Sequence, residues 1–315
     1  MAPGRARWAL GLAALGRPAY ITTVRFSGDD RTDRSVEALR SNTFDVLDVA
    51  SAAGVDWVDA ARSYGRAEEF LGSWFATRRP DPAPTVSSKW GYTYVGNWTM
   101  DAEVHEVKEH SLARFRQQWA ESAALLPGLV GLYQIHSLTA DSPVLDDPAL
   151  LGAMAELVQS GVAVGFSTSG PHQADTIRRA IEVTVDGRLL FSGVQATWNL
   201  LEKSAGSALA EASAAGCTVL IKEALANGRL VTEAPPELQE LARRHDAEVD
   251  AVALAAAAAQ PWADRVILGS SDPAQLAANL QADLVRLSSD DLAALAELAE
   301  PADAYWTTRS ALPWH

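Results

Sequence analysis

The chain has 315 residues, 48% of them hydrophobic, and it carries a formal net charge of −14. Its length and apolar content allow one large barrel or two ordinary domains. The strong negative charge argues against a nucleic-acid backbone or an anionic membrane surface as the main partner. A small-molecule ligand remains compatible with it, because the local charge of a pocket can oppose the charge of the whole chain.

The chain contains one cysteine, Cys217, which lies in the apolar run CTVLI and is interpreted as a buried structural thiol. A single cysteine excludes a disulfide within the chain and a cysteine-based metal cluster, and a reducing cytoplasm is the simplest location. The apolar runs are shorter than the ~20 residues of a membrane span. The run WALGLAALG after Arg5 and Arg7 faintly resembles a secretion signal, but it lacks a clear cleavage site and is interpreted as the first strand.

Eight short apolar runs alternate with longer stretches of helical spacing along the chain. Eight strand–helix units are typical of an α/β fold of the (β/α)8 TIM-barrel type, and no GxGxxG turn of a doubly wound sheet occurs. Because no low-complexity linker interrupts the pattern, residues 1–315 are predicted to form a single (β/α)8 barrel domain. The predicted strands are 9–15, 55–59, 85–89, 129–136, 162–167, 190–197, 218–222 and 265–269. The predicted helices begin near Ser35, Glu68, Asp101, Asp147, Pro171, Lys203, Pro236 and Pro273.

Three connections exceed the short loops that are typical of barrels, namely residues 17–34, residues 90–100 and the tail 301–315. At the C-terminal face of a barrel such segments build the substrate pocket, and aromatic rings give that pocket flat walls. For each ring, the alternative that it only packs its own loop stays open. The predicted pocket residues are Trp90, Tyr92, Trp98 and Trp306.

Three polar residues close predicted strands: Asp59, Lys89 and His136, with Tyr64 in the turn after the strand of Asp59. The carboxyl ends of parallel strands converge on one face of a barrel, so these four side chains are predicted to meet there. Each of them alone is more typical of an ion pair, a packing residue or a satisfied core histidine. A metal site is not predicted, because the sequence lacks HxH, HxxxH and cysteine clusters.

Together the four residues suit hydride chemistry at a carbonyl. A carbonyl that accepts a hydride at carbon needs a proton at oxygen, and Tyr64 is a suitable acid. A free phenol titrates at about 10, and the ammonium of Lys89 is expected to lower that pKa. Asp59 would hold Lys89, and His136 would polarise the carbonyl oxygen or assist the proton transfer.

The segment WVDAARSYGRAEEFLG (57–72) resembles the aldo-keto reductase signature D-x-A-x-x-Y-G-x-x-E-x-x-L-G. The resemblance continues through SSKWG, LYQIHS, GFSTSG, VQATWNLLE and VILGSSDPAQLAANL, in the order in which the family carries them. It implies an NAD(P)-dependent oxidoreductase on a (β/α)8 barrel that acts on a small carbonyl or alcohol substrate. The catalytic residues that it implies are Asp59, Tyr64, Lys89 and His136.

The resemblance also implies a cofactor site, with departures. The nicotinamide carboxamide would be held by Ser167 and Gln195, although Thr168 stands where the family commonly has Asn. Lys222 replaces the usual stacking tyrosine. Trp198 is then a candidate replacement ring, while Lys222 itself would contact the pyrophosphate or pair with an acid such as Glu223.

The adenosine end of the cofactor would lie where the eighth strand leads into the next helix. Asp272 stands there in place of the base that often marks NADP preference, and it favours NAD(H). The family as a whole favours NADP(H), which is the first expectation, with NAD(H) a close second. The implied residues at this end are Gly269, Ser270, Asp272, Gln275 and Asn279.

Two other functions stay open. One is a sugar or polyol dehydrogenase that works oxidatively with NAD, which would use the same residues. The other is a non-catalytic nucleotide-binding subunit that senses redox state or assists assembly.

Overall fold

The structure is a computed structural model that describes residues 7–21 and 33–314. Within this part of the chain, eight parallel strands pair in chain order and close into a barrel, so the predicted (β/α)8 fold is confirmed. The barrel strands are β1 (Arg7–Gly11), β2 (Trp57–Asp59), β3 (Thr85–Trp90), β4 (Val130–Leu138), β5 (Ala163–Thr168), β6 (Gly193–Thr197), β7 (Thr218–Lys222) and β8 (Arg265–Leu268).

The α-helices follow the strands and surround the barrel. They are α1 (Val36–Ala52), α2 (Ala67–Arg78), α3 (Leu112–Leu125), α4 (Pro148–Gln159), α5 (Gln173–Ile181), α6 (Gly206–Ala214), α7 (Arg229–Thr232), α8 (Pro236–Arg244), α9 (Val249–Ala258), α10 (Pro273–Leu280), α11 (Ser289–Ala296) and α12 (Ala302–Ser310). Short 3-10 turns lie at Pro143–Asp146, Ala226–Gly228 and Gln281–Leu284.

Two of the predicted helix starts, near Asp147 and Pro273, are each fixed by an acid that caps the helix. The Asp147 carboxylate accepts hydrogen bonds from the backbone N–H groups of Ala149 and Leu150 at the start of α4. Asp272 accepts from the N–H of Gln275 at the start of α10 in the same way. These bonds satisfy donors that have no partner inside the helix, which is why both helices begin directly after an acid.

The predicted third helix begins about ten residues too early, because the segment after β3 does not form a simple loop. Strand Tyr92–Tyr94 pairs antiparallel with strand Glu106–Lys108, and this hairpin extends from the C-terminal end of the barrel. Ser111 then caps α3, its side chain accepting from the N–H of Arg114. Much of the connection 90–100 is therefore structured.

The first strand is shorter than predicted, since β1 ends at Gly11 and the chain turns from Leu12. The turn packs tightly on the segment that carries Tyr64: a Cβ atom at Gly16 would clash with the Tyr64 carbonyl. The Gly16 carbonyl also accepts from the N–H of Arg66 at 2.8 Å. The connections after β1 and β2 therefore hold each other in place beside the candidate site.

The core contains the barrel interior and the inner faces of the helices. Helix α9 is buried along eight consecutive residues, because its alanines let it lie close to the barrel wall. Cys217 is a buried free thiol. Among the helices of the described residues, none combines the length and the apolar character that a bilayer span would require.

Candidate active site

A cavity of about 370 Å³ opens at the C-terminal ends of the barrel strands. It extends from the ends of β2 and β4 to the start of α10. The long connection 17–34 contributes its described part to the rim, while residues 22–32 of that prediction lie outside the described residues. The predicted site residues that line the cavity are Asp59, Tyr64, Tyr92, His136, Ser167, Gln195, Lys222, Gly269, Gln275 and Asn279.

Lys89 lies at the centre of the predicted catalytic group. Its Nζ donates hydrogen bonds to the Asp59 carboxylate, to the Ala60 carbonyl at 2.9 Å and to the Tyr64 hydroxyl at 3.2 Å. The register of β2 on β3 places Asp59 beside Ser87, two residues before Lys89 on the same inner face. Strand pairing thus brings the acid, the amine and the phenol together.

The Asp59 carboxylate is held by more than its ion pair with Lys89. Ser87 donates to it at 2.6 Å, and the side-chain amides of Gln134 and Gln195 donate to it at 3.2 and 3.1 Å. A buried ion pair is stable only when its remaining hydrogen-bonding positions are satisfied. Four strands therefore fix one carboxylate, and through it the position of the ammonium.

The acidity of Tyr64 differs from the sequence prediction. Burial raises the pKa of its phenol well above 10, and the Asp59 carboxylate raises it further. The prediction that Lys89 lowers the pKa of Tyr64 was wrong in its net direction. The charge of that ammonium is balanced by Asp59, and burial disfavours a phenolate. Tyr64 is therefore a protonated donor throughout the neutral range.

His136 lies beside the phenol as a neutral imidazole. Burial, followed by the nearby charge of Lys89, holds its pKa well below 6.5. Its Nδ1 is 3.3 Å from the Ser63 hydroxyl, and its ring makes an edge contact with Tyr64 at 5.6 Å between centroids. The Ser63 contact fixes the ring and leaves Nε2 as the nitrogen available for a ligand.

The predicted carboxamide residues occupy the neighbouring strand ends. Ser167 Oγ accepts from the backbone N–H of Ser137 at 2.9 Å, and the Gln195 amide nitrogen donates to Asp59. The Ser167 hydroxyl also donates to the Ile135 carbonyl at 3.4 Å, so it would have to give up this long bond in order to donate to a ligand amide. Thr168 is buried and its hydroxyl donates to Gln173 at 3.4 Å, so Ser169 lines the cavity beyond Ser167 instead.

Lys222 lines the cavity at the end of β7. Its Nζ donates to the Thr197 hydroxyl at 2.7 Å and lies 3.9 Å from the Glu223 carboxylate. Glu223 has a left-handed backbone (φ 55°) and a stronger partner in Arg309 of α12, at 2.6 Å. Trp198, the candidate replacement ring, is buried against Trp262 at 5.8 Å between centroids and lies outside the cavity.

The start of α10 forms the other end of the cavity. The Asp272 carboxylate caps Gln275, and the Gln275 side-chain oxygen accepts from the backbone N–H of Ser271 at 2.7 Å. Ser270 is fully buried and donates to the Asn279 side chain, whose nitrogen donates to Asp250. The N–H groups of Ser271 and Gln275 are thus already satisfied by side chains of this segment.

The four predicted pocket rings separate into different environments. Tyr92 lines the cavity, 4.9 Å from the His136 ring. Trp90 follows Lys89 on a strand, so its side chain points to the opposite face, where it packs on Phe115. Trp90 is therefore a core residue, and its assignment to the pocket is corrected.

The other two predicted rings also lie outside the cavity. The indole nitrogen of Trp98 donates to the Arg34 carbonyl at 2.9 Å, which fastens the hairpin connection to the start of α1. Trp306 is buried on α12 with its ring 5.9 Å from Lys222 Nζ. Both rings pack their own segments, which is the alternative that the sequence left open.

The sequence prediction missed several residues of the cavity wall. Arg17 is buried, pairs with Glu106 at 2.8 Å and lies 5.1 Å from the Tyr64 ring. Trp314 lies 4.9 Å from Arg17 and pairs through its backbone with Ile21. These residues come from connections far apart in the chain, so the single sequence contained no spacing signal for their meeting.

A protein-family model described as the aldo/keto reductase family matches residues 29–300. The match covers most of the chain and agrees with the closed barrel and with the residues gathered at its C-terminal end. The chain therefore belongs to the aldo-keto reductase family, whose members are oxidoreductases of carbonyl compounds that generally use NAD(P)H.

Individual relatives are distant. The chain is 24% identical to the aldo-keto reductase str7 of Strobilurus tenacellus over 323 aligned residues, which cover 93% of this chain and 88% of the relative. It resembles the holo form of the aldo-keto reductase AKR11C1 from Bacillus halodurans (TM-score 0.67, 21% identity, 95% of this chain and 93% of that one). The glycerol dehydrogenase AKR11B4 from Gluconobacter oxydans is similar to the same degree (TM-score 0.69, 21% identity, 95% of each chain).

Proposed function

We propose that this protein transfers a hydride between NAD(P)(H) and the carbonyl or alcohol carbon of a small substrate, with Tyr64 as the general acid–base. The observation that carries the proposal is the position of the Tyr64 hydroxyl. It lies 3.2 Å from Lys89 Nζ on the wall of a cavity that His136 also lines. A protonated donor, a neutral imidazole and a buried ion pair suit carbonyl reduction.

Each residue has a separate part in this proposal. Tyr64 donates its proton to the carbonyl oxygen during reduction and takes it back during oxidation. Lys89 holds the phenol in place and stabilises the phenolate that forms, while Asp59 keeps Lys89 fixed. His136 donates a hydrogen bond from Nε2 to the same oxygen, which orients the substrate. The nicotinamide, when bound, supplies or accepts the hydride.

Polar residues along the cavity support the proposal that a dinucleotide binds there. Ser167 and Gln195 would bind the carboxamide beside Tyr64, and Asn279 would lie near the adenine. At the adenosine end, Asp272 caps the start of α10 and does not itself line the cavity. Its negative charge at this helix start would nevertheless disfavour a 2′-phosphate bound nearby. We therefore propose NAD(H) before NADP(H), which reverses the order that the family alone favours.

The same residues would also serve a sugar or polyol dehydrogenase that works oxidatively with NAD. Asp272 favours this second function, because an acid can accept a hydrogen bond from a ribose 2′-hydroxyl but repels a phosphate. The rings of Tyr92 and Trp314 at the cavity wall would suit the apolar face of a sugar.

A substrate screen tests the proposal. The protein is titrated with NADH and NADPH, and is then assayed with aldehydes, ketones, sugars and polyols by following the absorbance of the reduced nicotinamide in both directions. We expect turnover of at least one carbonyl–alcohol pair and a higher kcat/KM with NADH. Binding without turnover in either direction would instead indicate a non-catalytic nucleotide-binding subunit, and a preference for NADPH would reject the proposed cofactor order.

A further inference from the structure

Lys222 is a charged side chain on the wall of the cavity. It ends β7, and its side chain is 18% exposed. Its electrostatic neighbours include Lys89 and Asp59, and its own charge helps to lower the pKa of His136. The Lys222 ammonium therefore interacts electrostatically with the predicted catalytic residues.

The charges that face Lys222 do not cancel. Glu223 lies 3.9 Å from Lys222 Nζ, but it already forms a 2.6 Å ion pair with Arg309 from α12. Lys89 is neutralised by Asp59 in the same way. His136 is neutral. Among these groups, one excess positive charge remains, and it lies beside the cavity.

A positive charge distinguishes the two redox states of nicotinamide, because the oxidised ring is cationic and the reduced ring is neutral. We propose that Lys222 makes the site bind the reduced cofactor more tightly than the oxidised one. This inference rests on the proposed function. Its consequence is that oxidised cofactor formed by carbonyl reduction leaves the site readily, which limits product inhibition.

The discrimination should depend on pH. Burial lowers the pKa of Lys222 to about 8, although Glu223 opposes the shift. The ammonium is present below that pH and is lost above it, so the affinity for the oxidised cofactor should rise as the pH increases through 8. The pKa of Tyr64 lies well above this range, that of His136 well below it, and that of Glu223 at about 2.

Equilibrium binding tests the inference without any turnover. Kd is measured for NADH and NAD+, and for NADPH and NADP+, at pH 6.5 and 9.5. The two members of each redox pair have the same adenosine end, so the ratio of the Kd of the oxidised form to that of the reduced form depends on the nicotinamide ring alone. The variants are Lys222→Met, which removes the charge, and Lys222→Gln, which can still donate to Thr197. Lys203→Met is the control, because Lys203 also has a pKa lowered to about 8 but donates to the Leu295 carbonyl, outside the cavity.

For the wild-type protein we expect the oxidised-to-reduced Kd ratio to fall severalfold from pH 6.5 to 9.5. At pH 6.5 either Lys222 variant should lower the Kd ratio by about tenfold, which is the size expected of a charge–charge interaction at a partly buried site. Either variant should also abolish the pH dependence of the ratio. Lys203→Met should leave the ratio and its pH dependence unchanged. Binding of both redox forms with a ratio that neither pH nor the Lys222 variants alter would overturn this inference alone. If neither redox form binds at any pH, the proposed function is overturned as well.

Discussion

Tyr64 and Lys89 show how burial and pairing change the chemistry that residue types alone suggest. The charge of the Lys89 ammonium is balanced by its ion pair with Asp59. Lys89 therefore holds the Tyr64 hydroxyl in position through a hydrogen bond, and it stabilises the phenolate that forms during the reaction. The ground-state phenol is a weak acid because it is buried. That state suits proton donation, since the group must be protonated before a carbonyl arrives.

The pH dependence of the two reaction directions should therefore differ. Reduction needs protonated Tyr64, whose pKa lies well above 10, and neutral His136, whose pKa lies well below 6.5. We expect the single-turnover rate of reduction at saturating reduced cofactor, which precedes release of the oxidised cofactor, to stay constant from pH 6.5 to 9. The single-turnover rate of oxidation should rise with pH because it needs the phenolate. Stopped-flow absorbance of the reduced nicotinamide checks both rates. A fall in the reductive single-turnover rate between pH 7 and 8 would show that the donor titrates far lower than its burial implies.

At the scale of elements, helix α12 contributes an anchor that the sequence did not reveal. The tail was predicted as a loop, yet Ala302–Ser310 forms a helix whose Arg309 reaches across to the end of β7. Burial opposes ionisation of Glu223, but Arg309 and then Lys222 outweigh it and lower the pKa of its carboxyl to about 2. The ion pair therefore fastens the C-terminal segment over the cavity.

Replacing Arg309 by Met should destabilise the protein by about 3–5 kcal/mol, because it leaves the buried Glu223 without its main partner. The double variant Arg309→Met/Glu223→Gln should recover a large part of this loss. Urea unfolding measures both effects. Arg243→Met breaks an exposed pair with Glu240 and should cost less than about 1 kcal/mol. Equal costs for the Arg309 and Arg243 variants would mean that α12 is not held by its ion pair.

The strands and several helix starts of the barrel could be predicted, because each depends on a pattern in the local sequence. Alternation of apolar runs located all eight strands, and the helix starts predicted near Asp147 and Pro273 match those of α4 and α10. The hairpin after β3 and helix α12 were missed, because long-range pairing and docking decide their conformation. Asp59, Tyr64 and His136 could be assigned to one cavity from strand ends. The roles of Arg309 and Glu223 could not, since their contact spans 86 positions.

At the scale of the whole molecule, barrel closure depends on close backbone contact between neighbouring strands. Gly165 on β5 lies against Gly193 on β6, and a Cβ atom at Gly165 would lie 2.5 Å from the Gly193 carbonyl oxygen. Adjacent strands carry Ser167 and Gln195 two residues further on. The glycine contact thus sets both the barrel wall and the spacing of two cavity residues.

We expect Gly165→Ala to destabilise the fold by about 1–3 kcal/mol, since backbone must move to admit the methyl group. Gly152→Ala is the matched control: this glycine lies within α4 with open space around its Cβ position, so alanine should stabilise the helix by up to about 1 kcal/mol. Thermal unfolding of the two variants should give shifts of opposite sign. Shifts of the same sign would contradict the assigned strand contact.

The central claim is that Tyr64 supplies the proton, and the variant Tyr64→Phe tests it most directly. Tyr94→Phe is the control, since the Tyr94 hydroxyl accepts from the backbone N–H of Trp98, outside the cavity. The measurement is kcat of the two variants on the substrate pair found in the screen, together with cofactor Kd and Tm. We predict that Tyr64→Phe loses about 10²–10⁴-fold in kcat with nearly unchanged cofactor Kd, and that Tyr94→Phe keeps its kcat. Near-normal turnover by Tyr64→Phe would contradict the account.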